Sequence, residues 1–122
     1  MNYTEATQWL FDQLPMYQQK GAVALFAKLD GITYFCAYLG EPHQKFKSIH
    51  VAGTNGKGSS SHMLAAILQE AGYKVGLYTS PHLKDFRERI KINGLEISED
   101  EVVSFVLNHK DYTNQNALSF FE

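Results

Sequence analysis

Apolar positions recur along the chain with two spacings, and the changes between them mark the predicted elements. Ala6, Trp9, Leu10 and Leu14 fall on one face of a helix that Asn2 and Glu5 can cap and Pro15 can stop. A loop over 16–21 follows. A second helical region over 22–39 carries Leu25, Leu29, Ile32, Cys36 and Leu39, with Asp30-Gly31 as a candidate break and Gly40-Glu41-Pro42 as its end. Residues 48–52 then read as a short buried strand. Residues 60–71 return to helical spacing with Met63, Leu64, Ile67 and Leu68, and Gly72 sits where a helix terminates. A second strand is predicted over 74–79. Two strands joined through one helix predict a parallel pair with a right-handed crossover.

The C-terminal third changes character. Residues 87–92 alternate charge with apolar bulk, meet the type I′ turn signal Asn93-Gly94, and return through Leu95-Glu96-Ile97. That pattern predicts a peripheral hairpin with one wet face. Ser98 and Glu101 form a capping box for a helix burying Val102, Val103, Phe105 and Val106. Residues 110–116 are polar and turn-rich. Leu118 to Glu122 is apolar again and reads as the start of a further element, so a longer parent chain is expected.

Between the first strand and its helix lie Gly53-Thr54-Asn55-Gly56-Lys57-Gly58-Ser59. Strand, glycine-rich turn with lysine, then helix is the order a phosphate-binding loop requires. Glycines let the backbone approach phosphate oxygens, successive N–H groups face the anion, and Lys57 adds a mobile charge. Out of context Gly-Lys-Gly-Ser fits an ordinary surface turn; the apolar strand and amphipathic helix on its flanks favour the phosphate reading. The loop is a variant. Gly58 stands where the common pattern has a Ser or Thr for Mg²⁺, and Val51 stands where an earlier Gly is usual. The missing hydroxyl must come from elsewhere. Ser80-Pro81-His82 follows the second strand at the sheet edge where open α/β proteins bind ligands. Ser80 either supplies that hydroxyl or merely opens a turn before Pro81, and spacing alone does not decide.

Composition narrows the class without adding chemistry. The 122 residues, 44% hydrophobic and 20% charged, fit at most one globular domain. A formal charge of −2, with no basic tract, gives no footprint for nucleic acid. No apolar run is long enough for a membrane span, and no signal-peptide pattern opens the chain. The single Cys36 excludes an internal disulfide, fits a reducing cytosol, and reads as core filling among Ile32, Phe35 and Leu39. The five histidines lack metal-ligand spacing, and no Ser-His-Asp or Cys-His arrangement is evident.

The chain over 49–59, the stretch Tyr73 to Leu83 and the stretch Arg87 to Gly94 resemble, in order and spacing, three signatures of the folylpolyglutamate synthase/dihydrofolate synthase family. Mur ligases are wider relatives; their loops usually continue with Ser or Thr after the lysine, so Gly58 favours the folate branch. The resemblance implies an α/β fold: a P-loop NTPase-like parallel sheet with flanking helices, here the N-terminal part of a Mur-ligase-like ATP-binding domain, plus the hairpin. It implies that residues 1–122 are an incomplete part of that domain, with a glutamate-binding C-terminal domain elsewhere. The implied activity is ATP-dependent addition of L-glutamate to reduced folates, to dihydropteroate, or both, through an acyl phosphate. Gly53 to Ser59 would bind ATP, Lys57 would act in catalysis, and Ser80 would ligate Mg²⁺. Pro81, His82, Ser119, Phe120, Phe121 and Glu122 would contact substrate, although Phe120 and Phe121 also read as plain core. The expected protein is a cytoplasmic monomer without nucleic-acid or membrane partners. A Mur-type peptide ligase and a non-catalytic nucleotide-binding fragment are the alternatives.

Overall fold

The computed structural model describes residues 1–13 and 29–121. The predicted stop at Pro15, the loop over 16–21, the first part of the second helical region and Glu122 lie outside the described residues.

Contacts divide the chain into two compact units, residues 1–48 with 102–122 and residues 49–101. The first unit is helical. Helix α1 (Tyr3–Asp12) opens on a complete capping box: Asn2 Oδ1 accepts the Glu5 N–H at 2.9 Å, and Glu5 Oε2 accepts the Asn2 N–H at 2.8 Å. Such a cap stabilises a helix by about 1 kcal/mol. Helix α2 (Asp30–Tyr38) starts at Asp30, so Asp30-Gly31 is a first turn within the described residues. The last long helix, α4 (Glu99–Asn116), runs through the polar stretch expected to be turns as far as Asn116. Ala6, Phe35, Val102, Val106 and Leu118 form the buried apolar core. Around Phe35 the rings of Tyr38 and Tyr112 stack with centroids 4.1 Å apart, and His109 stands edge-on to Tyr38 at 5.6 Å. Ring pairs at these separations contribute beyond the area they bury. Cys36 is half-buried beside this cluster's helix face rather than fully in the core.

The second unit holds helix α3 (Lys57–Glu70) and a three-stranded sheet of β1 (Gly76–Tyr78), β2 (Ile90–Ile92) and β3 (Leu95–Glu96). Helix α3 ends as expected, with Tyr73 N–H reaching the Leu68 carbonyl at 3.1 Å around Gly72. The hairpin is also as expected. Asn93 and Gly94 have φ of 50° and 79°, the pair of left-handed residues that a type I′ turn needs. The sheet is antiparallel in both pairings, with Gly76 opposite Ile92 and Lys91 opposite Glu96.

Three expectations about this unit are corrected. Residues 48–52 are not a buried strand: they lack a ladder partner among the described residues, and Ile49 is 65% exposed. A parallel strand is stable only with a neighbour beside it and both faces covered; among the described residues neither surrounds this stretch, so the expected parallel pair with its crossover is replaced there by an antiparallel sheet. Residues 86–89 form a 3₁₀ turn, so the charge alternation of Arg87 to Arg89 is not a strand. Asp85 and Glu88 cap that turn reciprocally and override the alternation. Finally, the apolar positions of α3 are not buried: Met63 and Ile67 are 60% and 64% exposed.

Candidate functional site

The loop over 53–59 leads directly into α3. Gly56 is the residue before the helix and has φ of 77°, a left-handed conformation that costs an L side chain about 1–2 kcal/mol. That turn places the free N–H groups of the first helical turn at the loop, where the helix dipole also favours an anion. Lys57 is the first helical residue. Its ammonium folds back to the Gly53 carbonyl and lies 3.4 Å from the Thr54 carbonyl. Ser61 Oγ donates to the Lys57 carbonyl at 2.8 Å, and His62 Nδ1 pairs with the Gly58 carbonyl at 2.7 Å. A carbonyl only accepts, so Nδ1 of His62 carries the proton there. Thr54, Asn55, Gly58 and Ser59 are exposed around the same turn. At Gly58 an added Cβ would meet nothing within 4 Å, so crowding inside the protein does not require glycine.

After α3 the chain reverses at Gly72, and β1 packs back against the helix. Thr79 and Ser80 leave β1 with Ser80 exposed, and the Ser80–Pro81 peptide is cis. The segment beyond is tied down by charged groups. The Glu88 carboxylate accepts the N–H groups of Leu83, Lys84 and Asp85 at 2.9, 2.8 and 2.7 Å. These backbone donors, Leu83 first, hold its pKa down to about 2, with a smaller contribution from His82 nearby. Asp85 accepts both Nε and Nη2 of Arg87, at 3.1 and 3.0 Å. Arg89 is the buried charged residue among those described, at 8% exposure, and its Nε donates to His82 Nδ1 at 2.8 Å.

Gly53 to Ser59 and Ser80 to His82 therefore lie in one unit, the first leading into the helix and the second following the strand that packs against it. Ser119, Phe120 and Phe121 belong to the other unit. Phe120 is half-buried against Phe11, ring centroids 5.3 Å apart, and meets Phe121 edge-on at 5.6 Å. Phe120 thus has the packing role that its residue type allowed, and Phe121 is exposed. Asp85 and Glu88 were not singled out from the sequence as site residues, and Arg89 was weighed only as a hairpin charge that reaches an anionic ligand or faces solvent. The Asp85-x-x-Glu88 capping spacing was the available signal.

Among the described residues no group of three His, Cys, Asp or Glu is placed to hold a metal. Ser80 offers one hydroxyl oxygen. That suits a Mg²⁺ ion carried mainly by phosphate oxygens and water, not a cage made by the protein.

No protein-family model matches the chain. It is 40% identical over 127 residues to a probable bifunctional folylpolyglutamate synthase/dihydropteroate synthase of Haloferax volcanii, covering 100% of this chain and 14% of that protein. It is 39% identical over 110 residues to the dihydrofolate synthase/folylpolyglutamate synthase of Bacillus subtilis, covering 90% of this chain and 24% of that one. The solved folylpolyglutamate synthase of Thermotoga maritima superposes with a TM-score of 0.81 at 37% identity, covering 98% of this chain and 27% of its own. A folylpolyglutamate synthase in complex with AMPPCP and folate superposes at 0.76 and 31% identity, covering 99% of this chain and 30% of its own. The fold and the loop define an α/β protein of the Mur-ligase-like class. Within that class the chain belongs to the folylpolyglutamate synthase/dihydrofolate synthase family. It spans under a third of each of these relatives.

Proposed function

We propose that this chain supplies the phosphate-binding part of an ATP-dependent ligase that adds L-glutamate to reduced folates, to dihydropteroate, or both. The observation that carries the reading is the left-handed Gly56 turn that presents Lys57 and the N-terminus of α3 together. The similarity to synthases over the whole chain supports the same reading. In this reaction a substrate carboxylate oxygen attacks the γ-phosphorus of ATP and ADP departs. The amine of glutamate then attacks the acyl phosphate carbon and expels phosphate, leaving an amide. The first step brings two anions together, so positive charge and aligned N–H donors lower its barrier.

The N–H groups from Thr54 to Ser59 would hold the β- and γ-phosphates. Lys57 would leave the carbonyls of Gly53 and Thr54 for the phosphate oxygens. Ser80 would give one oxygen to Mg²⁺, which when bound neutralises phosphate charge. Pro81 and His82 would meet the folate-side substrate, as would Ser119, Phe121 and Glu122, with Phe120 acting chiefly through packing. The chain would form the incomplete N-terminal part of the ATP-binding domain, and the glutamate-binding domain would lie in the remainder of a monomeric, cytoplasmic enzyme. No helix among the described residues is long and apolar enough to cross a membrane.

The test is an ATP-dependent glutamate ligation assay on the intact protein, with dihydropteroate and tetrahydrofolate offered separately. Turnover of either acceptor supports the reading and sets its specificity. Absence of turnover with both, in protein that binds Mg·ATP, overturns it and directs the search to Mur-type substrates.

A further inference from the structure

Two side chains one turn into α3 reach back to consecutive peptide units at the start of that helix. Ser61 Oγ donates to the Lys57 carbonyl at 2.8 Å, and His62 Nδ1–H donates to the Gly58 carbonyl at 2.7 Å. Elsewhere among the described residues such bonds stand singly, as from Thr7 to Tyr3 and from Asn116 to Tyr112. Here the pair brackets Gly58, the second residue of the helix, where a Cβ would meet open space.

The Lys57 carbonyl and the Gly58 N–H belong to one rigid peptide plane, and the Gly58 carbonyl and the Ser59 N–H belong to the next. Fixing each carbonyl therefore aims the N–H at the other end of the same plane. The first helical hydrogen bond runs from the Ser60 N–H to the Gly56 carbonyl at 3.0 Å. The N–H groups of Gly58 and Ser59 lie just ahead of it, among those that an α-helix leaves without a partner of its own. Glycine has more backbone freedom to lose than any other residue, so these planes are the ones that gain most from being tethered.

From this we propose that His62, with Ser61 beside it, is a positioning residue: it holds the peptide planes on either side of Gly58 so that the N–H groups of Gly58 and Ser59 meet the phosphates of ATP already aligned. The identity of the anion as ATP rests on the ligase reading, while the two tethered planes do not. Freedom that Gly58 would lose on binding phosphate is already lost in the free protein, which is the general basis of affinity through preorganisation. The neutral Nδ1–H tautomer and the imidazolium both donate from Nδ1, so the tether holds in either charge state of the ring. His62 acts through the loop backbone and not on the substrate.

The first arm of the test needs no turnover. Mg·AMPPCP is titrated by calorimetry into the intact wild-type protein and two variants. His, Phe and Asn have similar helix propensities, so neither substitution alters the helix by that route. His62→Phe keeps a ring and removes the donor, and should weaken binding about fivefold, within the scale of one lost hydrogen bond. His62→Asn places an amide N–H where Nδ1–H stood and should bind within about twofold of wild type. Unchanged affinity in His62→Phe overturns the proposal, as does an equal loss in both variants. The His62 side chain is exposed, so thermal unfolding should move little. A lowered Tm with unchanged affinity assigns His62 to helix stability alone and overturns the positioning role.

The second arm separates the substrates in the ligation assay. His62→Phe should raise KM for ATP about fivefold and leave KM for the folate-side substrate within about twofold. A fall in kcat with both KM values unchanged overturns the role, since loss of folded enzyme gives that same pattern. Wild type that fails to bind Mg·AMPPCP overturns the proposal together with the phosphate site. Binding without ligation of glutamate to either acceptor overturns the ligase reading alone, and the titrations still decide what His62 does.

Discussion

The ammonium of Lys57 is bonded to the carbonyl of Gly53, the residue that opens the loop it serves. The loop thus holds its own lysine with its own backbone, and in the proposed reading an anion would compete for it. A phosphate oxygen carries charge that a carbonyl lacks, so the ammonium would exchange an ion–dipole bond for one between opposite charges.

Replacing Lys57 by Ala removes the charge without removing the helix. The expected outcome is a fall of at least about a hundredfold in the ligation rate, the usual scale for one lost charge-stabilising group. Far-ultraviolet circular dichroism should be unchanged, because the side chain is exposed and, among the described residues, its hydrogen bonds go to the loop carbonyls. A rate within about threefold of wild type would remove Lys57 from the reaction.

Gly58 lies in the first turn of α3 with open space where a Cβ would be. Gly58→Ala should therefore stabilise the protein by about 0.5–1 kcal/mol through helix propensity. If the backbone at this position approaches phosphate, the same substitution should weaken ATP binding. Thermal unfolding and nucleotide titration on one sample separate the two effects.

Glu88 sets an acid limit. Its folded pKa of about 2 lies below the ordinary value of 4.5, so the folded state binds its proton less readily than the unfolded chain. The stability it contributes is therefore complete above pH 4.5 and is lost as pH falls toward 2. Glu101 is shifted in the same direction by the Ser98 N–H and hydroxyl. Glu88→Gln should flatten the dependence of Tm on pH across that window, and an unchanged slope would show that the three N–H bonds do not depend on charge.

At the hairpin, Asn93→Ala should cost about 1–2 kcal/mol, from a left-handed φ and a lost side-chain bond. Asn93→Asp should keep most of that stability, since it tolerates the same φ and retains an oxygen at the bonding position. Guanidinium unfolding of the three proteins gives the order.

What was legible in the sequence was short-range chemistry. Asn2 with Glu5, Ser98 with Glu101, Asn93-Gly94 and Gly72 each act within a few residues, and each behaves as its type dictates. The Gly56 turn and Lys57 at the helix start were legible for the same reason, because both are local. The strand over 48–52 was not, because β structure depends on a neighbour that no local pattern reveals. Arg87 to Arg89 misled through alternation, while the capping pair Asp85 and Glu88 carried the stronger local instruction. The Arg89–His82 bond was out of reach for a different reason. It joins side chains seven positions apart, and only the 3₁₀ turn between them brings the two groups within 2.8 Å. Phe120 on Phe11 was still further from inspection, its partner lying near the opposite end of the chain.

Asn93 has a role beyond turning the hairpin. Its side-chain oxygen accepts the Val75 N–H at 2.8 Å, and its own N–H donates to the Val75 carbonyl at 2.9 Å. One residue therefore both bends β2 into β3 and fixes where β1 begins alongside them. Lengthening this tip by a single residue would displace the alignment of all three strands at once. Variation in chain length among proteins sharing this sheet should consequently collect at other connections and spare this one, making the tip a poor place to insert a tag or a reporter.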